Sequence, residues 1–570
     1  MRLMISKSKN AKSLYVIKSV FKDGKRTTKI VEKLGTYAKL LDELNGEDPI
    51  EWANKYIDEL NQKEKDINNE VLVKYSPSKR INRDKQVSFN GGYLFLQKLY
   101  HELGLDSISK EISNRNKFSF DLNSILSRLI YARIIFPASK RATLNLSKTF
   151  IEQPKFELQH IYRALEIIAK ESDFIQSQLY NNSLKVLKRN RAILYYDCTN
   201  FFFEIEQEDG LKQYGYSKEH RPNPIIQMGL FMDGDGMPLA FSITKGNTNE
   251  QITLQPLEKK ILSDFKMSKF IVCTDAGLAS TANRKFNDEG ERAFITTQSV
   301  KKLKAHLKEW ALDSEGWQEG SSSKTYNIND LDEKKDINRV FHKERWINED
   351  ELEQKLIVTF SLKYRNYLAT IRIRQVERAQ KLIDTNPTKI SKQNANDYKR
   401  FIRSNHCTQN GEVADNTVHS INKGRIEQES IYDGFYAVCT NLEDDASEII
   451  KVNKRRWEIE ESFRILKSEF KARPVYLQRD DRIRAHFMTC FLSLMIYRLL
   501  EKKLGERFTC NEIISELRAM NFLEIPYEGY IPAYTRNDVT DALHDAFGFH
   551  TDYQIVNNKK MRKILKDTKK

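Results

Sequence analysis

The run ILYYDCTNFFFEI at residues 193–205 decides the fold class. It is almost continuously apolar and aromatic, which predicts a buried β-strand. An acid, Asp197, nevertheless stands inside it. A carboxylate in a buried strand is unfavourable unless it is paired or binds a metal. Asp197 is therefore a candidate functional residue, although a capping or turn role is the plainer interpretation of a single aspartate.

The runs that follow predict a mixed sheet with helices on its faces. Two strands flank a Gly-Asp-Gly turn at 234–236, which is a hairpin signal and gives Asp233 and Asp235 the role of turn residues. A helix, a short buried strand, a short helix and another strand come next. Their sequences are IIQMGLFMD (225–233), MPLAFSITKG (237–246), EQITLQPLEKKILSDF (250–265), KFIVCTDAG (269–277), residues 280–287 and RAFITTQSV (292–300). The order β-β-β-α-β-α-β predicts antiparallel strands first and β/α alternation later.

A second acid, Asp275, lies at the carboxyl end of KFIVCTDAG. Gly277 behind it permits a tight turn and the close approach of a ligand. Functional sites of open α/β sheets gather at the carboxyl ends of strands. Two acids on core strands of one domain make a shared functional role the better interpretation of both.

The remaining sequence divides the chain into further regions. Residues 1–75 predict a small β unit, with a hairpin at Lys22–Lys25, and a connector. Residues 76–188 are helical in pattern and predict either a DNA-binding domain, with the basic loop Pro137–Arg141, or an ordinary helical scaffold. The core occupies 189–300 and resumes at 431–508.

Residues 301–430, between the two core pieces, predict an inserted β-rich subdomain. Its clearest element is a β-hairpin in KLIVTFSLKYRNYLATIRIR (355–374). Residues 509–570 form a mixed C-terminal region, and its Lys-rich end is expected to be frayed and solvated.

Amino-acid composition limits the binding partners and the cellular compartment that can be expected. The chain has 94 Lys and Arg against 79 Asp and Glu, a net charge of +15, which favours a polyanionic partner without proving one. Its six cysteines include no Cys-x-x-Cys pair, which argues against a zinc site and for a reducing cytoplasm. The longest apolar stretch, Phe487–Tyr497, is too short to cross a bilayer, and the N-terminus lacks the apolar core of a signal peptide. We therefore expect a cytoplasmic protein without membrane contact.

The third candidate acid comes from VNKRRWEIEESFRILKSEFKARPVY at 452–476, inside a predicted helix from about Ala446 to Phe470. The helical repeat places one set of residues along the same side, with Trp457 and Ile459 expected to anchor the core face. That set is Arg456, Glu460, Phe463, Arg464, Lys467 and Lys471. The plain interpretation is a solvated helix with ion pairs. The alternative is an acid aimed at a metal, with cations beside it that bind phosphates.

This helix resembles the signature of bacterial insertion-sequence transposases of the Asp-Asp-Glu type, in the group marked by Tyr-x2-Arg-x3-Glu-x6-Lys. The chain has Asn453, Arg456, Glu460 and Lys467 at this spacing, with Asn453 as a departure from the Tyr. Asparagine can also donate to phosphate. YYDCTNFFFE and TDAGLAS resemble the stretches around the first two acids of the family, and residues 215–250 resemble the segment between them in its long-protein branch. The resemblance spans roughly residues 85–505.

The resemblance implies a ribonuclease H-like mixed-sheet core interrupted by a β-rich insertion. It implies that Asp197, Asp275 and Glu460 are catalytic and hold two Mg²⁺ ions, with Mn²⁺ able to substitute. The residues implied to contact DNA are Asn453, Arg456, Arg464 and Lys467.

The implied activity is cleavage at transposon ends, through a hairpin at the end, and joining to target DNA. The partners are then double-stranded DNA, as transposon ends and as target, and a second copy in a synaptic homodimer associated with the bacterial nucleoid. The tryptophans of the insertion are candidates for stacking on an unstacked base, against ordinary packing; they are Trp310, Trp317 and Trp346.

Two alternatives from other classes stay open. One is a catalytically silent DNA-binding relative, against which the presence of all three acids argues. The other is a metal-dependent DNA nuclease without strand transfer.

Overall fold

The chain forms two units in the computed structural model. One comprises Met1–Lys85 with Ile525–Glu528, and the other comprises Gln86–Glu524 with Gly529–Lys570. The structure describes residues 1–8, 11–22, 25–44, 46–67, 71, 73, 76–390, 397–407 and 413–570.

The first unit is a small antiparallel sheet followed by helices. Its elements are β1 (Arg2–Lys7), β2 (Lys12–Lys22), β3 (Lys25–Thr36), α1 (Tyr37–Glu43) and α2 (Pro49–Ile67). Strands β2 and β3 pair antiparallel up to Lys22 and Lys25, which confirms the predicted hairpin; residues 23 and 24 of its turn lie outside the described residues. Leu14, Leu40 and Ala53 form its small apolar core.

The second unit begins with a short strand and six helices, as the apolar spacing predicted. They are β4 (Ser88–Asn90), α3 (Tyr93–Glu102), α4 (Leu105–Arg115), α5 (Leu122–Ile135), α6 (Lys140–Ser147), α7 (Leu158–Lys170) and α8 (Ser172–Val186). Asp121 and Ser139 cap α5 and α6 by accepting hydrogen bonds from backbone amides of the first turn. Helix α5 is buried along almost its whole length, so this region packs into the main core of the unit.

The central sheet starts with the strand quoted first. Its opening elements are β5 (Ile193–Phe202), β6 (Ile225–Asp233), β7 (Pro238–Lys245), α9 (Leu254–Asp264), β8 (Ile271–Thr274), α10 (Thr281–Phe286) and β9 (Ala293–Gln298). Strand β5 pairs antiparallel with β6 and parallel with β8. The predicted order and the mixed sheet are both confirmed.

The region between the core pieces contains strands and helices. Its elements are α11 (Ala305–Leu312), β10 (Trp317–Glu319), β11 (Thr325–Tyr326), β12 (Phe341–Glu349), β13 (Leu352–Phe360), α12 (Leu362–Thr385), β14 (Ile402–Cys407), β15 (Val413–Ile421) and α13 (Lys423–Ser430). Strand β13 pairs with the core strand that follows the insertion, β16 (Phe435–Thr440). The central sheet therefore has ten strands in the order β11-β10-β12-β13-β16-β9-β8-β5-β6-β7, and part of the insertion extends it.

The predicted hairpin at 355–374 is wrong, because only its first half is a strand and its second half begins the 24-residue helix α12. Alternating apolar residues at Ile371 and Ile373 imitate a strand over a short window. Further along, Val376, Ala379 and Ile383 contact one small core cluster at helical spacing. The period of the longer window gives the correct element.

The second core piece is helical after β16. It comprises α14 (Ala446–Lys454), α15 (Trp457–Arg464), a π-helical turn at Ile465–Glu469 and α16 (Asp480–Lys503). The helix predicted from Ala446 to Phe470 is thus interrupted twice. Ile459 is fully buried as expected, but Trp457 is 59% exposed, so its predicted role as a core anchor is wrong.

Helix α16 is the centre of the main core. It packs against α3, α5, α7 and β7, and seventeen of its residues are buried. By length and composition it is the one described helix that could cross a membrane, but its apolar residues are covered by the rest of this unit. Cys198, Cys273, Cys439, Cys490 and Cys510 are buried and free, as is usual for small apolar side chains.

The C-terminal region is folded to its end. Its elements are α17 (Cys510–Ala519), β17 (Asn521–Ile525), β18 (Gly529–Pro532), α18 (Asp538–Phe547), β19 (Val556–Asn557) and α19 (Asn558–Asp567). The expectation of a frayed Lys-rich end is wrong. Met561 and Ile564 of α19 are buried, and Thr568 accepts a hydrogen bond from Gln97 at 2.9 Å. An apolar stripe at i, i+3 spacing among the lysines is the signal for this helix.

Asp233, expected to be only a turn residue, also forms a buried ion pair. Its Oδ2 accepts a hydrogen bond from Arg189 Nε at 2.6 Å, and both side chains are almost fully buried. Arg189 also donates to the carbonyls of Met237 and Pro238. The pair therefore joins the end of the helical region to the β6–β7 turn.

We expect Asp233→Ala to lower the free energy of unfolding by about 3–5 kcal/mol, because it leaves the Arg189 guanidinium buried without its counter-charge. Urea denaturation measures this. The matched control is Glu448→Ala, which removes the exposed pair with Lys451 and should change stability by less than about 1 kcal/mol. Equal effects of the two substitutions would contradict the role assigned to the buried pair.

Candidate active site

Asp197 lies in β5 as the sequence predicted, and it is partly buried. Its Oδ1 accepts a hydrogen bond from the amide of Cys198 at 2.7 Å. The pKa of Asp197 is raised to about 6, because burial and, to a lesser extent, the charge of Asp275 raise it more than Lys218 lowers it. The protein holds this acid in an environment that disfavours its charge.

Asp275 lies directly after β8, the parallel neighbour of β5. The register pairs Tyr195 with Cys273, which lie two residues before Asp197 and Asp275, and the charge of Asp275 acts on Asp197. The amides of Gly277 and Leu278 donate to Asp275 Oδ1 at 3.0 and 3.1 Å. The turn after β8 thus fixes the second carboxylate beside the first.

Glu460 lies on α15, and its side chain is 62% exposed. Its Oε1 accepts a hydrogen bond from Arg456 Nη2 at 3.5 Å. Oxygen atoms of the three acids do not all lie within 4.8 Å of one another. The structure therefore brings the two aspartates together and leaves the glutamate at the edge of the site.

Arg456 stands between the aspartate pair and Glu460. Its Nη1 donates to Thr297 Oγ1 at 3.2 Å, while Nη2 reaches Glu460. Burial lowers the pKa of Arg456, but the net shift is upward because nearby groups stabilise the charged guanidinium. These groups are Tyr436, Asp275, Cys273 and Asp197. Its guanidinium supplies positive charge among the acids.

Asn453, at the signature position that departs from tyrosine, is buried. Its Nδ2 donates to the hydroxyl of Tyr436 at 2.8 Å, and that hydroxyl also hydrogen-bonds Thr297 Oγ1 at 2.7 Å. A tyrosine hydroxyl from β16 therefore lies beside the contact between Arg456 and Thr297. No pattern in the sequence singles out Tyr436. A contact between the Asn453 amide and DNA stays a prediction.

Arg464 and Lys467, the other predicted DNA contacts, lie in different surroundings. Arg464 is exposed and pairs with Glu461 through two hydrogen bonds of 2.6 and 2.7 Å. Lys467 lies in the π-helical turn and points to the aspartate side. The pKa of Lys467 is lowered to about 8, because burial and the charge of Lys218 lower it more than Asp197 raises it. Lys467 belongs to the surroundings of Asp197, and Arg464 does not.

A charged segment between β5 and β6 supplies residues that the sequence reasoning did not single out. Lys218 Nζ donates to the carbonyl of Cys198 and lies 3.2 Å from Glu250. Glu219 forms ion pairs with Lys467 and with Arg473. The density of charge in GYSKEHRPNP, between two apolar strands, was the available signal.

The acids offer a donor set that fits a divalent cation. Carboxylate oxygens are the ligands that hard cations prefer, and Asp197 lies in β5 while Asp275 directly follows the neighbouring strand β8. Burial raises the pKa of Asp197 and the charge of Asp275 also raises it, and a cation would offset both effects. Glu460 would join them only after its side chain turns away from Arg456.

The tryptophans proposed for base stacking differ in exposure. Trp317 is fully buried and packs against Phe360 and Phe435, so ordinary packing is the correct interpretation for it. Trp346 is 44% exposed and Trp310 is partly buried against the same cluster. Stacking on a base stays a prediction for these two.

Comparison with known proteins identifies the class. The model of the transposase DDE domain family matches residues 200–496, more than half of the chain, and this range contains Asp275 and Glu460. The chain belongs to the transposase DDE domain family. No curated protein matches. Among solved structures, the chain is similar to piggyBac transposase in a synaptic complex with hairpin DNA, with 8% identity, a TM-score of 0.36, and coverage of 85% of this chain and 88% of that one.

Placing the signature tyrosine at position 453 should destabilise the fold. We expect Asn453→Tyr to lower the free energy of unfolding by about 1–3 kcal/mol, because a ring must enter a buried position held by Tyr436. Urea denaturation is the measurement, and Lys454→Tyr at the exposed neighbouring position is the control. Unchanged stability together with tighter DNA binding would contradict this expectation.

The raised pKa of Asp197 predicts a pH-dependent stability. Its folded-state pKa of about 6 exceeds the usual 3.8. Ionisation of Asp197 therefore destabilises the fold progressively as the pH rises from about 4 to about 6, fully above that window and not at all below it. In metal-free buffer at pH 8, Asp197→Asn should raise the free energy of unfolding by about 2 kcal/mol, and the gain should vanish as the pH falls towards 4.

Glu258→Gln is the matched control for this experiment. Burial raises the pKa of Glu258 to about 7, above that of Asp197. The stability gained by Glu258→Gln should therefore begin to decrease at a higher pH than the gain of Asp197→Asn when the pH is lowered. An Asp197→Asn effect that is independent of pH would contradict the assignment.

Proposed function

We propose that this transposase-family protein binds the terminal inverted repeats of a transposon, cleaves DNA at the ends and joins them to target DNA by phosphoryl transfer. The observation that carries the proposal is the proximity of Asp197, in β5, to Asp275, directly after the parallel strand β8, with Arg456 between these acids and Glu460. Paired acids surrounded by cations suit a reaction on a phosphodiester, because the acids can hold a metal and the cations can bind the phosphates.

Asp197, Asp275 and Glu460 would hold Mg²⁺, with Mn²⁺ able to substitute. A divalent metal held by these carboxylates would supply the charge that activates a water or a DNA 3′-hydroxyl for in-line attack and that stabilises the leaving oxygen. The turn after β8 orients Asp275, and the Cys198 amide orients Asp197. Arg456 and Lys467 then bind phosphates beside the reacting bond, and Arg464 contacts DNA farther out.

The fold supports a ribonuclease H-like core as part of this proposal. The strands β7-β6-β5-β8-β9 lie side by side in that order, with the first three antiparallel and the next two parallel to β5. Arg456, Glu460 and Lys467 support membership of the group with the Tyr-Arg-Glu-Lys signature, in its long-protein branch. Tyr436 supplies a hydroxyl next to Asn453, where the signature has its tyrosine.

The other parts of the chain have proposed roles in the same activity. The helical region at 76–188 binds DNA, and the insertion at 301–430 contacts the transposon end, where cleavage proceeds through a hairpin. A homodimer holds two ends in the synaptic complex. The protein acts in the bacterial cytoplasm at the nucleoid.

The test is a set of isosteric substitutions assayed on a terminal-repeat substrate with Mg²⁺. Asp197→Asn, Asp275→Asn and Glu460→Gln should each reduce cleavage by at least about 10³-fold while DNA binding persists, because each removes a charged ligand. Glu461→Gln, one residue from Glu460 but paired with Arg464, is the control and should retain cleavage. Full cleavage by any of the three variants would refute the assignment of that acid.

The same assay separates the alternatives. A silent DNA-binding relative binds the substrate without cutting it, whereas a nuclease cuts without joining. Supplying a pre-cut end with a free 3′-hydroxyl and a target plasmid distinguishes them, because the proposed transposase inserts that end into the plasmid.

A further inference from the structure

A cavity of about 270 Å³ lies between the helical region and the segment that follows the Glu460 helix. The α5–α6 connection forms one wall, residues 471–477 form another, and His486 of α16 contributes to the lining. The cavity is distinct from the acids of the candidate active site, none of which line it. Nothing in the proposed reaction uses it.

Three basic side chains are buried around this cavity: Arg133, Lys140 and His486, which are only 5%, 5% and 6% exposed. Arg133 is committed to the protein, since it donates to the carbonyls of Phe470, Lys471 and Ala138. His486 Nε2 lies 3.1 Å from the carbonyl of Ala472. Lys140 is different, because the described residues provide no hydrogen-bond acceptor for its ammonium group.

No carboxylate balances these groups. The described residues that line the cavity include no Asp or Glu. Lys471 adds positive charge to the lining, and Arg473 also lines it but is paired with Glu219, which lies outside the lining. Burial, together with the charge of Arg133, lowers the pKa of Lys140 to about 7. Burial likewise lowers the pKa of His486, with additional contributions from Lys140 and Arg133. An ammonium group that is buried among cations without a partner is unfavourable, and an anion in the cavity would reverse this.

The position of Lys140 also favours an anion. Lys140 is the first residue of α6, and the amino end of a helix carries partial positive charge. Ser139 caps this helix and lines the cavity with Lys140. The unpartnered ammonium, the helix terminus and the absence of acids in the lining therefore agree.

We propose that this cavity is a phosphate-binding pocket with Lys140 as its central ligand, and that its occupant is a backbone phosphate of DNA. The second half of the proposal rests on the proposed function. DNA is favoured over a small metabolite because the wall of the pocket continues into the active-site surroundings. Arg473 lines the pocket and also pairs with Glu219, which pairs with Lys467. One strand could therefore contact both places.

The first arm of the test uses the full chain and inorganic phosphate, without DNA. Phosphate should raise the melting temperature of the wild type by about 2–4 °C more than sodium chloride of equal ionic strength. Lys140→Met should melt higher than the wild type in phosphate-free buffer, because it removes an unpaired buried charge, and it should lose the phosphate-specific shift. Lys148→Met, at the exposed opposite end of α6, should behave as the wild type.

The second arm measures DNA affinity as a function of salt. Lys140→Met should weaken binding roughly tenfold at low salt, equally for specific and unrelated sequences, and should reduce the slope of log K against log salt by about 1. Lys148→Met is again the control.

The outcomes separate the two halves of the proposal. A Lys140→Met protein that melts lower than the wild type, or that keeps the phosphate shift, would show a purely structural lysine and overturn the pocket. A lost phosphate shift with an unchanged DNA salt slope would overturn the assignment of DNA as occupant. If the wild type binds no DNA at all, the proposed function and the DNA occupant both fail, and the phosphate arm still decides the pocket.

Discussion

The parallel pairing of β5 with β8 is the constraint on which the candidate site depends. It brings Asp197, in β5, close to Asp275, which directly follows β8, and both side chains are partly buried. Partial burial weakens the screening of these two negative charges by water. A crossover through α9 is required to make these strands parallel, and the antiparallel hairpin of β6 and β7 covers the other side of β5. The acids are thus held together by topology rather than by any attraction between them.

Repulsion between the acids explains the arrangement of charges around them. Lys218 approaches from the β5–β6 connection, Lys467 from the π-helical turn and Arg456 from the start of α15. Each cation is partly buried, and each also contacts a polar group of the protein, so none depends on the aspartates alone. These three cations offset part of the repulsion between the acids and so stabilise the fold. Glu460 stays exposed in this arrangement, because its contact with Arg456 lies at the edge of the site.

Local pattern predicted the core well, because each core strand is a separate apolar run between clear turns. The same reasoning found Asp197 and Asp275, since an acid in an apolar strand contradicts its surroundings. Glu460 could not be found this way, because its helix has the composition of a solvated face and only the family spacing singled it out. Lys218, Glu219 and Tyr436 were missed because their roles come from contacts between segments far apart in the chain. The helix α12 was mistaken for a strand where a short window imitated the wrong period.

The net charge of +15 says less about function than the places where cations lack partners. Many lysines and arginines of this chain are used internally: Arg189 holds Asp233, and Arg464 holds Glu461. These pairs are satisfied and carry no information about a ligand. A cation without a counter-charge is informative in proportion to its burial, because water stabilises an exposed ammonium group and cannot reach a buried one. By that criterion Lys140 is a stronger indication of a bound anion than the exposed lysines of α19, although composition weighs them equally.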